Sequence, residues 1–559
     1  MPRENHEYKN HLSITSQSSS SGLAAMVLEK ELEGGIPMHV EELSTGHDKT
    51  EAACNAAAGE HTQTVWQALK SEPKAVIWSI AVSTAIIMEG YDIVLVTSLF
   101  AQPAFAERYG SLLPAKDTWQ IPAPWQSALG IAPTIGALLG AFLNGWLTHK
   151  FGYRKVLLAS LFAMTAFIFL LFFATSLGMI LAGLVLCGIP WGVFATMAPA
   201  YASEVCSLTL RGYLTVYVNL CWAFGQLIAA GVLEGFATNT SEWAYRVPFA
   251  IQWIFPLPLF AVIWFCPESP WWLVSKGKVE EASHSLRRLT SKKSTTAPED
   301  TIALIQHTNM IEAETQSGTS YWSCFKGVDL RRTEIVCMAF ASQIWCGSPL
   351  GGTPAYFFVQ AGLSSSNAFK FSVGGLGLAS IGTIISWYLI SRIGRRTLYV
   401  WGLGLLTGCL LITGIVAAVS HGSTSSYVQA GFVVAWLLIY YLTVGPVCYA
   451  IISETSAVRL RNKSVCLSRM AYYISQVVGN VIEPYMINPG NANWQGKTAL
   501  FWAGTCALCF IWTFIRLPET RDRSYEELDL LFNAKVAARK FASTEVDPYA
   551  PVGERVKRD

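Results

Sequence analysis

The chain has 559 residues, of which 52% are hydrophobic and 14% are charged, and its mean hydropathy is +0.36. These values are too apolar for a soluble enzyme of this length and indicate a protein of the lipid bilayer. The formal net charge of +2 gives no indication of a nucleic-acid partner, and the 13 cysteines occur singly, without the spacing of a metal site or a disulfide framework.

Residues 1–70 are rich in Ser, Glu, His and Lys and have no sustained apolar period, which predicts a disordered cytosolic tail. Twelve apolar segments follow, each long enough to cross about 30 Å of hydrocarbon as a helix. The segments lie near residues 76–100, 125–148, 155–175, 178–201, 213–234, 247–266, 335–358, 369–391, 397–419, 426–452, 465–487 and 498–517. The sequence therefore predicts an all-α membrane protein with one six-helix bundle over residues 71–266 and a second over residues 334–517.

Charged stretches separate and follow the two bundles. Residues 267–333 are predicted to form a cytosolic linker, and residues 518–559 a cytosolic C-terminal tail. Basic residues cluster in alternate short loops, near residues 150–155 and 392–396, and the positive-inside rule places these loops and both termini in the cytosol. The triplet at residues 239–241 then lies outside the cell, where Asn239 can be glycosylated.

The two halves of the chain carry matching motifs. The first half ends its apolar region with Pro-Glu-Ser-Pro at residues 267–270, and the second ends with Pro-Glu-Thr-Arg at residues 518–521. The basic loop at residues 145–155 corresponds to the one at residues 387–397. Such a repeat is typical of transporters that are built from two bundles and bind substrate between them.

Several motifs together resemble the sugar-porter family of the major facilitator superfamily over residues 70–535. They are Glu89-Gly90-Tyr91-Asp92 in the first segment, Leu210-Arg211-Gly212 after the fourth, Gly225-Gln226-Leu227 in the fifth, Gly445-Pro446 and Ser453-Glu454 in the tenth, and Arg459-Leu460-Arg461 beyond it. Residues 188–194, 219–222, 267–274 and 524–529 resemble the fungal maltose and general α-glucoside permeases more than the hexose carriers. The resemblance implies a transporter of the cell membrane, without enzymatic activity or a cofactor, that imports maltose-like sugars by proton symport through alternating access. A monomer is expected.

Two carboxylates in the first segment are candidates for proton coupling. Glu89 and Asp92 lie one helical turn apart on one face, and a carboxylate in the middle of a bilayer is costly unless it faces water or a partner. Two close carboxyl groups tend to share a proton. In the symporters that this chain resembles, the Asp of this string carries the proton. The structural alternative is an ion pair with Arg469 or Arg246.

The candidate sugar-binding residues are amide and aromatic side chains, because sugar hydroxyls need donors and acceptors and each sugar ring has an apolar face. They are Gln226, Gln343, Asn219, Trp222, Tyr356 and Tyr449. The two glutamines match family positions. The aromatic residues have an alternative role, which is to pack the helices or to anchor them at the membrane interface.

Charged residues near the predicted cytosolic surface are expected to hold the two halves closed on that side through salt bridges. They are Arg211, Glu204, Glu268, Arg395, Glu454, Arg459 and Glu519. Among them, Arg395 and Glu454 are expected to pair. Because an exposed pair contributes only about 0–1 kcal/mol, only the whole network could control opening. The alternative role of these charges is to set the topology.

Several positions depart from the family pattern, among them His149, Lys150 and Ser391 in the two basic loops. Leu184 stands where many proton-coupled sugar porters carry Arg, and Thr134 stands where close α-glucoside permeases have Glu. Ile344 and Pro349 replace polar residues of the seventh segment. These departures keep three functions open: uptake of α-glucosides, transport of another sugar or of a fungal secondary metabolite, and sugar sensing without transport.

Overall fold

The computed structural model describes residues 65–546 except residues 114–117, 207, 292–297, 304, 307–320, 421, 458–459, 522 and 524. Within this part of the chain, 10 helical stretches are long and apolar enough to span a membrane. Two further long helices, Gly327–Trp345 and Arg461–Ile487, occupy the places of the seventh and eleventh predicted segments. They are more polar because they carry several charged residues, among them Arg469 and Glu483.

The first half begins with short helices and continues with long ones. Its elements are α1 (Val65–Ser71), α2 (Pro73–Ser83), α3 (Ala85–Leu99), α4 (Pro103–Tyr109), β1 (Ser111–Leu113), β2 (Thr118–Gln120), α5 (Ala123–Phe151), α6 (Tyr153–Phe172), α7 (Leu177–Val205), α8 (Leu208–Gly235), α9 (Trp243–Ile251), a 3₁₀ turn (Gln252–Ile254) and α10 (Pro256–Trp264). The antiparallel β1–β2 hairpin was not predicted, because strands of three residues are too short to show an alternating pattern.

The linker and the second half follow. Their elements are α11 (Pro270–Ser275), α12 (Val279–Leu289), a 3₁₀ turn (Tyr321–Phe325), α13 (Gly327–Trp345), α14 (Ser348–Gly351), α15 (Pro354–Gln360), α16 (Ser365–Arg392), α17 (Arg395–Val419), α18 (Ser423–Leu442), α19 (Val444–Thr455), α20 (Arg461–Ile487), a 3₁₀ turn (Gln495–Lys497), α21 (Thr498–Arg516), α22 (Tyr525–Asn533) and a 3₁₀ turn (Ala538–Lys540).

Some predicted segments are interrupted helices. The seventh consists of α13, α14 and α15, because Gly347 adopts a left-handed φ of 99° and Pro349 and Pro354 each lack the N–H that would continue a helix. The first and tenth break at Thr84 and Thr443. Interrupted helices occur at membrane depth where the freed backbone lines a cavity or is buried in protein.

Glycines allow α5 and α7 to approach very closely. A Cβ on Gly140 would lie 2.0 Å from the carbonyl oxygen of Ile189, and a Cβ on Gly192 would lie 2.0 Å from that of Ala137. These glycines lie on facing sides of the two helices, so their backbones are in direct contact. Small residues at such positions are typical of helix pairs in membranes, where close packing replaces the hydrophobic effect.

The two halves meet along two pairs of long helices, α8 with α16 and α5 with α20. One end of the molecule carries the β1–β2 hairpin, and we call it the hairpin end. The opposite end carries α11 and α12, and we call it the linker end. The cavity described below lies between the halves.

Ordered elements extend into the stretches predicted as tails and linker. α1 lies within the predicted tail 1–70, whose residues 1–64 fall outside the described part of the chain. α11 and α12 form within the predicted linker because Leu273, Leu286 and Leu289 are buried. In the predicted C-terminal tail, α22 is held against α13 by an ion pair of 2.6 Å between Arg332 and Asp529.

Candidate functional site

A cavity of about 1020 Å³, part of it open to solvent, lies between the two halves. Its polar and aromatic lining residues in the first half are Glu89, Asp92, Thr97, Thr134, Trp191, Trp222 and Gln226, and in the second half Ser348, Thr353, Trp436, Tyr440, Tyr441, Tyr472, Tyr473, Gln476 and Asn480.

The two predicted proton-coupling residues face this cavity from α3. The side chains of Glu89 and Asp92 are 8% and 1% exposed. Among the described residues, neither carboxyl oxygen of Asp92 has a hydrogen-bond partner, although the indole of Trp191 lies beside it. An isolated carboxylate in the membrane interior is costly, so this position suits a group that takes up and releases a proton.

Arg469 of α20 is the main cation near the carboxyl pair. Its guanidinium lies 5.1 Å from the ring centre of Tyr472 and 5.2 Å from that of Tyr473, and it interacts electrostatically with Glu89. The other suggested partner, Arg246, instead pairs with Glu242 at 3.0 Å. Glu89 and Arg469 therefore bring opposite charges together across the two halves.

The predicted amides occupy different positions. Gln226 lines the cavity, and its Oε1 accepts a hydrogen bond of 2.7 Å from the hydroxyl of Tyr441. Gln343 is 3% exposed, does not line the cavity and donates from Nε2 to the carbonyl of Gly445 at 2.9 Å. Asn219 is buried on α8, two turns from Gln226, and its Nδ2 has no partner among the described residues. Of the three predicted amides, only Gln226 lines the cavity in this conformation.

Of the three predicted aromatic residues, one lines the cavity and two do not. Trp222 lines the cavity. Tyr449 packs edge-on against Phe340 and accepts a long hydrogen bond of 3.5 Å from Arg469. Tyr356 is buried at the hairpin end, outside the cavity lining.

The sequence analysis missed an aromatic wall on α18 and two amides on α20. Trp436 and Tyr440 stack with ring centres 5.2 Å apart and planes 10° apart. Gln476 and Asn480 lie one turn apart on the cavity side of α20. The tyrosine pair that precedes Gly445-Pro446 could have indicated the aromatic residues of α18. The spacing of four residues between Gln476 and Asn480 could have indicated that the two amides share one face of α20.

Neutral hydrogen bonds between the halves close the hairpin end. Tyr356 Oη accepts from Gln120 Nε2 at 2.7 Å and from Gln126 Nε2 at 3.1 Å. Asn480 Nδ2 donates to the carbonyl of Gly130 at 2.8 Å, and Asn488 Nδ2 donates to that of Ile121 at 3.1 Å. The cavity is therefore shut on this side.

Tyr356→Phe is expected to loosen the hairpin end, because it removes two hydrogen bonds that join the halves, each contributing about 0.5–1.5 kcal/mol. A cysteine at the cavity residue Thr353, in a background where the exposed Cys466 is serine, should then react several-fold faster with an impermeant maleimide. Tyr427→Phe is the matched control, because the Tyr427 hydroxyl bonds Asn367 within one half. Equal labelling of the two variants would contradict a closing role for Tyr356.

The charged residues at the linker end form one arrangement twice. In the first half, Glu204 accepts hydrogen bonds from Tyr153 Oη at 2.5 Å and from Ser269 Oγ. In the second half, Glu454 accepts from Arg395 Nη2 at 2.8 Å and from Thr520 Oγ1 at 2.6 Å. The repeated sequence motifs thus build the same contact in each half, with Tyr153 and Arg395 in equivalent places.

The two glutamates of the repeated Pro-Glu motif also occupy equivalent places. Glu268 accepts from the backbone N–H of Tyr153 at 2.8 Å and approaches Gly152, and Glu519 approaches Gly394. Burial raises the pKa of Glu268, and hydrogen bonds from backbone N–H groups oppose that shift. Arg459 lies outside the described residues, and the side chain of Arg211 is not described. Each of the other predicted gating residues makes these contacts within its own half.

Arg395→Ala is expected to lower stability by about 1–3 kcal/mol, because it leaves the carboxylate of Glu454 without its charged donor in a setting where both side chains are only about one-fifth exposed. The midpoint of thermal unfolding in detergent measures this effect. Arg392→Ala, which removes an exposed arginine nearby, should shift the midpoint much less. If both variants shift the unfolding midpoint equally, the Arg395–Glu454 pair makes no specific contribution to stability.

A family model described as "Sugar (and other) transporter" matches residues 78–532. The general alpha-glucoside permease of Saccharomyces cerevisiae is 40% identical over 509 residues, which cover 89% of this chain and 82% of the permease. The maltose permease MAL31 of the same yeast is 40% identical over 508 residues, with the same coverage of 89% and 82%.

Solved structures with a similar fold include the proton:xylose symporter XylE bound to 6-bromo-6-deoxy-D-glucose. It has a TM-score of 0.65 and 19% identity, covering 82% of this chain and 99% of that one. A partially occluded inward-open form of XylE from E. coli has a TM-score of 0.65 and 17% identity, covering 81% of this chain and 100% of that one. At this level of identity the likeness concerns the fold.

Proposed function

Because the chain belongs to the sugar-porter family of the major facilitator superfamily, we propose that it imports α-glucosides such as maltose by proton symport through alternating access. The predicted family and the predicted fold class, twelve helices in two bundles, are confirmed. The protein is a multi-pass membrane sugar transporter and not an enzyme. The proposal concerns its substrate, its coupling to protons and its orientation.

The observation that carries the coupling proposal is the buried carboxyl of Asp92 at the cavity wall. Its oxygens have no hydrogen-bond partner within the part of the chain that the structure describes, and Glu89 lies one turn away with Arg469 facing it from the other half. A proton on the Asp92 carboxyl removes the free-energy cost of a buried charge and so favours a state in which the halves close around the cavity. A sugar bound between the halves can stabilise that same state. Proton and sugar then favour the same movement of the halves.

The substrate proposal rests on the cavity lining and on the relatives. Gln226, Gln476 and Trp222 offer amide and aromatic surfaces of the kind that recognise sugar hydroxyls and rings. The yeast relatives at 40% identity are named as alpha-glucoside and maltose permeases. We therefore favour a maltose-like disaccharide as the substrate.

One observation favours a less hydroxylated substrate as the second candidate. Thr134, Ile344 and Pro349 line the cavity. The family pattern has more polar residues at these three positions. Fewer polar groups lower the number of hydroxyls that can be satisfied, since an unpaired buried donor or acceptor costs about 1–3 kcal/mol. Another sugar or a fungal secondary metabolite would suit such a lining.

For the orientation, we propose that the linker end faces the cytosol, together with both termini. The basic loops around Lys150 and Arg395 lie at this end and obey the positive-inside rule. Asn239 then lies on the outer surface of the cell membrane. Closure at the hairpin end makes this conformation inward-facing, with each linker-end charge cluster bracing its own half.

Uptake of radiolabelled maltose, trehalose, sucrose and glucose by a transport-deficient yeast that expresses this chain tests the proposal. We expect concentrative uptake of maltose, accompanied by alkalinisation of a weakly buffered medium. Uptake of glucose alone, or accumulation without proton uptake, would contradict the substrate or the coupling respectively. Surface expression, measured with a fluorescent C-terminal fusion, must be equal in host strains that are compared.

A further inference from the structure

We propose that Tyr441 determines specificity by fixing the side-chain amide of Gln226 in one orientation, so that Gln226 meets the substrate as a hydrogen-bond donor. This inference rests on the proposed function, because it concerns how the same cavity selects the hydrogen-bonding groups of the sugar. Tyr441 was not among the candidates from the sequence. It is a positioning residue, because it acts through Gln226.

The geometry of the pair is well defined. Tyr441 lies on α18 in the second half and is 4% exposed, and Gln226 lies on α8 in the first half and is 6% exposed. The Tyr441 hydroxyl donates to Gln226 Oε1 at 2.7 Å, and both residues line the cavity. The bond therefore joins the two halves at the place where a ligand would bind.

The bond decides which end of the amide is free. A glutamine side chain has one carbonyl acceptor and one NH₂ group with two donor hydrogens. Since Tyr441 already donates to one of the two lone pairs of the Gln226 carbonyl, the NH₂ group with its two donor hydrogens is the end of the amide that is mainly left for the ligand. If the amide turned over, the Tyr441 hydrogen would lose its acceptor, and an unsatisfied buried donor costs about 1–3 kcal/mol. Gln226 therefore selects a sugar oxygen that accepts a hydrogen bond.

The neighbouring residue Tyr440 shows that the arrangement is specific to Tyr441. Tyr440 also lines the cavity, but its ring stacks on Trp436 and meets the Tyr441 ring at an interplanar angle of 80°. Because Tyr440 itself lines the cavity, the matched control for Tyr441→Phe is Tyr427→Phe: Tyr427 lies on the same helix, outside the cavity lining, and its hydroxyl bonds Asn367.

The bond also links recognition to movement. It connects α8 to α18, so a rotation of one half against the other must stretch or break it. In the full-length transporter, Tyr441→Phe and Gln226→Ala should then alter the conformational equilibrium in the same direction and to a similar extent.

The test is a double-mutant cycle of Tyr441→Phe and Gln226→Ala, measured as KM and kcat for maltose uptake. Tyr441→Phe should raise KM roughly three- to ten-fold with a smaller change in kcat, and it should have no further effect when Gln226 is already alanine. Tyr427→Phe, which removes a hydroxyl on the same helix but outside the cavity lining, should change KM less than two-fold. Additive effects in the cycle, or an equal effect of Tyr427→Phe, would overturn the proposal.

A second readout does not depend on the sugar. The same cycle is measured as maleimide labelling of Thr353→Cys in the Cys466→Ser background without substrate. Equal changes in Tyr441→Phe and Gln226→Ala, without a further change in the double variant, support the cross-half bond, and independent changes overturn it. If the parent transports none of the four sugars, the substrate proposal fails, while this labelling result still decides whether Tyr441 holds Gln226.

Discussion

Asp92→Asn is expected to abolish accumulation of substrate against its gradient while leaving exchange across the membrane measurable. The asparagine keeps the size of the side chain and a hydrogen-bonding end, but it cannot gain or lose a proton. In alternating access, the empty carrier must release its proton to return, whereas exchange requires only the loaded states. Because the asparagine mimics the protonated carboxyl at all times, the empty variant cannot return, so net uptake should be lost while labelled substrate still exchanges across the membrane.

Glu89→Gln is the matched comparison for this variant. If Glu89 only modulates Asp92, its amide should slow transport and still permit some accumulation, because Asp92 still takes up the proton. Counterflow of labelled substrate in proteoliposomes separates coupling from loss of binding. Normal accumulation by Asp92→Asn would show that the proton is carried elsewhere.

Gly192→Ala is expected to prevent correct folding of the first half. The added methyl carbon would lie 2.0 Å from the carbonyl oxygen of Ala137 and 2.6 Å from the amide nitrogen of Ala141. Both atoms belong to the backbone of α5 and cannot turn away, so the two helices must separate. Overpacking of this kind costs about 3 kcal/mol or more, which is a large part of the stability of most proteins.

Size-exclusion chromatography of a fluorescent fusion in detergent measures the folded fraction. Gly192→Ala should lose most of the monodisperse peak. Gly145→Ala on α5 is the control, because a Cβ at that position meets nothing within 4 Å. Equal peaks for the two variants would show that α5 and α7 separate at little cost.

The fold could be predicted largely because the chain repeats itself. Apolar length marked the spans, and the Pro-Glu strings at Glu268 and Glu519 marked equivalent ends of the halves. The breaks at Thr84, Gly347 and Thr443 could not be predicted, because an average over an apolar window does not respond to a single left-handed or capping residue. Membrane-spanning helices that carry buried charged residues, such as α20, are also difficult to recognise from their composition.

The candidate site was less accessible to sequence reasoning. Glu89, Asp92 and Gln226 lie at the cavity, since an ionisable or amide residue inside a span has few other stable positions. Gln343 and Tyr356 do not line it, because the break after α13 determines where α13 and α15 point. Tyr441 was missed because α18 is apolar or aromatic along most of its length, so its sequence does not reveal which side faces the partner half.

The hydrogen bonds that shut the hairpin end are made by amides, a phenol and backbone carbonyls, and none of these groups carries a net charge. A membrane potential does work of about 2.3 kcal/mol per elementary charge per 100 mV, and it does almost none on neutral groups. Opening at this end should therefore be electrically silent. The voltage dependence of transport would then arise from Asp92, Glu89 and Arg469, and electrophysiological currents would report protonation of the carrier rather than opening of its hairpin end.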